Sequence, residues 1–166
     1  MSSKKKTKLS NRLISRAEGG IAFLEQCLEK IHTQGTDPAY SRSIYILHSY
    51  NFELVLKSRL VLLSKKKTIR EIDKDHRGHD LEKLSEHENL NNIGIIKIKQ
   101  YTTKFKRYKI KTIYGDFTIQ DMVDVRYDYF ESKLRQTDHY ESKRIKKELS
   151  IMKNIIEKIK VLISEQ

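Results

Sequence analysis

The 166-residue chain has no tryptophan, a single cysteine and a deficit of acidic groups, 22 Asp and Glu against 34 Lys and Arg. One thiol, Cys27, rules out an internal disulfide framework and any CxxC metal site, which fits a reducing cytoplasm. Its simplest role is that of a small apolar residue on a helix. There is no glycine-rich phosphate loop, no GxSxG and no HExxH, so enzymes built on those motifs are excluded. The basic start, Met1 to Lys8, is followed by no apolar core long enough for a signal peptide. Residues 1–9 therefore read as a basic disordered arm, and residues 10–166 as one domain, a length that can bury a core without staples. The longest apolar run, residues 45–64, is interrupted by His48, Glu53, Lys57 and Arg59. Those groups would be costly near the middle of a bilayer, so no membrane span and no membrane partner are expected.

What is abundant is positive charge. A net charge of +12 and a pI of about 9.6 attract polyanions, so nucleic acid or an acidic protein is the expected class of partner. The charge is also locally dense: between Ile93 and Tyr114 lie Lys97, Lys99, Lys104, Lys106, Arg107, Lys109 and Lys111 with no acidic residue among them. Tyr101 and Tyr108 are interleaved with these cations. Lysines on phosphates and tyrosines on bases are the parts of a single-strand nucleic-acid site, and the stretch equally suits a solvated basic edge.

Hydrophobic spacing predicts helices along most of the chain. Leu13, Ala17, Ile21, Leu24, Leu28 and Ile31 recur at three and four, the stripe of a first helix, in which Gly19 and Gly20 weaken the pattern or mark a close helix crossing. Gly35 ends it, and Pro38 opens a second helix running to about Lys65. Residues 45–64 are apolar on nearly every face, which predicts the central helix of a bundle. A short third helix is expected over 79–90, another over about 119–136, and a final amphipathic helix on Ile145, Leu149, Met152, Ile156, Ile159 and Ile163. Alternation on both sides of Gly115 and Asp116 predicts a small β-hairpin near 108–119.

Three segments carry a resemblance: residues 51–57 on the apolar helix, Gly78 to Leu84 with His79 and Asp80, and Val125, Arg126 and Tyr127. On these the chain resembles the HEPN family of small helical domains from toxin–antitoxin, nucleotidyltransferase-partner and antiphage systems. The resemblance implies an all-α, antiparallel bundle of four to five helices, cytoplasmic and homodimeric, that binds RNA, a nucleotide, or an antitoxin or nucleotidyltransferase-type partner. The resemblance implies no cofactor. In many members it also implies metal-independent RNA cleavage by an arginine followed, after four to six residues, by a histidine. Arg126 has no histidine in that window, so a role in binding is expected before one in catalysis. The alternative is a divergent ribonuclease using Arg126 or Arg135 with His139; a third reading is a purely structural dimerisation module.

Cleavage without metal needs a base for the 2′-hydroxyl and a cation for the developing phosphorane, which makes His48, His79 and His139 the histidines to consider. The simpler readings are a core histidine for His48, a loop held by hydrogen bonds for His79 and Asp80, and a surface residue for His139. Glu53 and Lys57 are four apart and share a helix face. Arg126 is a candidate to pair with Glu53 across the bundle. No metal site is expected, because His76 and His79 with Asp73, Asp75 and Asp80 read as a polar loop.

Overall fold

In the computed structural model, the residues described are 2–34, 38–65, 71, 88–100, 107–120 and 139–165. Helical periodicity is realised in three long helices: α1 (Ser3–Gln34), α2 (Pro38–Leu63) and α3 (His139–Ser164). On α1 the stripe Ala17, Ile21, Leu24 and Leu28 is buried, as is Ile14; on α3 Ile145, Leu149, Met152, Ile156 and Ile159 are buried. The start of α1 at Ser3 puts Lys4, Lys5, Lys6 and Lys8 on a helix, where the sequence reading had a disordered arm. Lys6 Nζ donates to the Ser64 carbonyl beyond the far end of α2, and the Ser10 hydroxyl donates to the Ser58 carbonyl at 3.0 Å. These contacts run α1 antiparallel to α2.

The all-α expectation is wrong. Three strands, β1 (Ile95–Gln100), β2 (Arg107–Thr112) and β3 (Gly115–Gln120), form an antiparallel sheet in the order β1-β2-β3. Among the described residues there are three long helices, not a bundle of four to five, and Glu88–Ile93 is a 3-10 turn leading into β1. The physical reason is a period of two: Tyr108, Ile110 and Thr112 are buried while Arg107, Lys109 and Lys111 are exposed, a pattern that suits one covered face of a sheet. The expected hairpin exists, with its reversal two residues earlier than Gly115 and Asp116. Ile113 and Tyr114 make the turn, and Gly115 opens β3 with φ +128°, a conformation open to glycine. The Thr112 hydroxyl ties the reversal, donating to the Gly115 carbonyl at 2.7 Å and accepting from the Tyr114 N–H at 3.1 Å. The helices expected over 79–90 and 119–136 lie almost wholly outside the described residues; Ile119 and Gln120 belong to β3.

β1 was hidden in the sequence by a bulge between Ile95 and Lys97. The extra residue lets Ile95 and Ile98, three apart, both face inward, which breaks the simple alternation. The sheet packs its apolar face on α2 and α3. Phe117 of β3 meets Phe52 of α2 edge to face, centroids 5.1 Å apart at 82°, a favoured aromatic geometry. Packed against α1, α3 and β3, with α1 and α3 also in contact with each other, α2 buries Phe52, Val55, Leu56 and Leu60 completely or nearly so, as its all-round apolar sequence predicts.

Candidate nucleic-acid interface

Pairing of β1 with β2 sets Lys97 opposite Lys111 and Lys99 opposite Lys109. All four are exposed and lie on the face turned away from the helices, with the exposed Arg107 on the same face of β2. Like charges directly opposite each other destabilise a sheet. On β3, Asp116 stands across from Lys111, and Thr118 across from Lys109. The outer face is thus a short cationic grid. Side chains two apart on one strand are separated by roughly 7 Å, and opposed side chains by about 5 Å.

Only part of the basic segment assembles there. Lys97, Lys99, Arg107, Lys109 and Lys111 do; Tyr101, Lys104 and Lys106 lie outside the described residues. Tyr108 is on the opposite face, fully buried and paired in register with Gln100 and Ile119, so its ring belongs to the core and not to a stacking platform. The same alternation that exposes the lysines hides this tyrosine.

Behind the grid lies a buried polar cluster. His48 on α2 places Nε2 3.3 Å from Glu148 Oε2 on α3, both groups almost fully buried. The other carboxylate oxygen of Glu148 accepts the Thr118 N–H at 2.8 Å and Arg144 Nη1 at 2.9 Å, and Arg144 Nη1 also donates to the Thr118 carbonyl at 3.1 Å. Burial, reinforced by the Arg144 charge, lowers the His48 pKa from 6.5 to about 3, so the imidazole is neutral at pH 7. A neutral imidazole sealed in the core is placed to hold structure together. The sequence reading does not point to Glu148, although an acid between Ile145 and Met152 on the apolar stripe of the last helix is a signal, and it offers Arg144 only as a possible neighbour of His139.

The remaining polar candidates separate in the same way. Glu53 is buried and accepts from Lys57 one turn along α2, the intrahelical pair that their spacing predicts. Arg59, on the same helix, is 4 % exposed, and burial lowers its pKa. His79, Asp80, Arg126, Tyr127 and Arg135 lie outside the described residues, so the proposed Glu53–Arg126 pair does too. His139 is the first residue of α3, with only its backbone described. Among the described residues, no group of three or more His, Cys, Asp or Glu is placed to hold a metal, and no helix is long and apolar enough to cross a membrane. Of the segments behind the HEPN resemblance, residues 51–57 are described, as one stretch of α2. Comparison with family models, with curated proteins and with solved structures finds no match to this chain.

Proposed function

We propose that this chain binds RNA through the outer face of its sheet, holding backbone phosphates on Lys97, Lys99, Arg107, Lys109 and Lys111 without reading sequence. The observation that carries the reading is the pairing of Lys97 with Lys111 and Lys99 with Lys109, an arrangement that costs stability in the free protein and is relieved when a polyanion lies across it. The burial of Tyr108 supports phosphate contact over base stacking on β2.

The test is fluorescence anisotropy with a labelled single-stranded RNA in EDTA, titrated at several salt concentrations. If all five cations meet phosphates, log K falls against log salt with a slope of about −3.5, roughly −0.7 per contact on a single strand. The double variant Lys99→Gln/Lys109→Gln then weakens binding and flattens the slope by about 1.4. Because the two lysines repel each other across the strands, the variant keeps or gains stability, which separates lost binding from lost folding. Absence of binding at low salt, or binding unaffected by this variant, refutes the proposal. Cleavage of the probe in EDTA would replace a holding role with a catalytic one.

A further inference from the structure

The two edges of the sheet are built differently. β1 carries Lys97 and Lys99, so a second β1 laid alongside would bring like charges together, a common way of blunting an edge. β3 is the sequence Gly-Asp-Phe-Thr-Ile-Gln, whose one charge, Asp116, sits next to the turn, so charge protects this edge less than it protects β1. With Thr112 and Gly115 closing the hairpin and Ile110 opposite Phe117, Thr118 falls at the alternate positions, where the N–H and C=O point away from β2.

Both of those groups are occupied by α3. The Thr118 N–H donates to Glu148 Oε1 at 2.8 Å, and the Thr118 carbonyl accepts Arg144 Nη1 at 3.1 Å. The two side chains are themselves joined at 2.9 Å. One acceptor and one donor, held side by side, supply what the backbone of a neighbouring strand would supply. We propose that Arg144 and Glu148 stand in for a fourth strand and close β3 against pairing with β3 of a second copy of this chain. Such a seam would keep the lysines of β1 and β2 at least one strand away, so without the guard little in the charge pattern opposes it.

The guard can be removed as a unit by the double variant Arg144→Met/Glu148→Met, which replaces both members of the ion pair with apolar groups of similar length. In sedimentation velocity this variant gains a concentration-dependent species of twice the wild-type mass. Adding Thr118→Pro, which removes the outward N–H and is tolerated on an edge strand, returns the mass distribution to that of wild type. A folded double variant with the wild-type distribution at every concentration, or self-association that survives Thr118→Pro, overturns the proposal. Hydrogen exchange on the wild-type protein gives a reading independent of how the variants fold. The Thr118 amide exchanges slowly if Glu148 occupies it, and exchange at the unprotected rate overturns the proposal equally.

Discussion

The close crossing of α1 and α2 predicts opposite outcomes for alanine at two adjacent glycines. A Cβ at Gly20 would stand 2.2 Å from Asn51 Oδ1 and 2.8 Å from its Cγ and Nδ2, whereas a Cβ at Gly19 meets nothing within 4 Å. Alanine in a helix interior is favoured over glycine by about 1 kcal/mol, so Gly19→Ala should stabilise by close to that amount. At Gly20 the same gain is opposed by overpacking, typically about 1–3 kcal/mol. Asn51 is fully buried, so its amide has little freedom to withdraw, and the clash is expected at or above the top of that range. The net result is a loss of about 2 kcal/mol or more for Gly20→Ala, a difference of at least about 3 kcal/mol between neighbours of identical chemistry. Urea denaturation followed by far-UV circular dichroism measures both. The Asn51 amide has no hydrogen-bond partner among the described residues, so truncating it forfeits little, and Asn51→Ala should rescue Gly20→Ala in the double variant. Equal stabilisation by alanine at both glycines, or no coupling to Asn51, would refute the crossing geometry.

Protonation of His48 should make the protein acid-sensitive. Its folded pKa of about 3 lies below the unfolded value of 6.5, so the unfolded chain takes up the proton first; the contribution is complete above pH 6.5 and is lost as pH falls toward 3. At pH 5 the loss is about 2 kcal/mol. Arg144 and Glu148 face the same imidazole, so comparison of wild type with His48→Gln at pH 7 and pH 5 isolates the histidine, and an unchanged pH dependence in the variant sinks the assignment. Phe117→Leu should cost about 1–2 kcal/mol in thermal denaturation by losing the edge-to-face contact with Phe52, and wild-type stability would show that the sheet is not seated there.

Much of the helical part of the fold was legible because it depends on near neighbours in sequence. The stripes of α1 and α3 and the all-round apolar character of α2 each translate directly into burial. β3 and β2 were legible as a hairpin for the same reason. β1 was not, because its bulge disrupts the alternation and its lysines match those of a solvated helix as well as those of a strand. The basic residues of the candidate interface could be read from composition. Which of them share a face could not, since a sheet register decides it and the register brings together residues from separate strands. The all-α expectation failed at this point, because the hairpin that alternation predicts is joined by β1 into a three-stranded sheet.

By itself, then, the sequence determined an amphipathic α1 and α3, a central α2 and a surplus of positive charge, because these follow from residue type and local spacing. Tertiary structure alone decided that the lysines of β1 and β2 face each other while Tyr108 turns inward, and that Gly20 receives Asn51. It also decided that His48, Arg144 and Glu148 meet behind Thr118. Each of those outcomes needs two segments far apart in the chain to meet at a particular register, and no periodicity within either segment specifies the other.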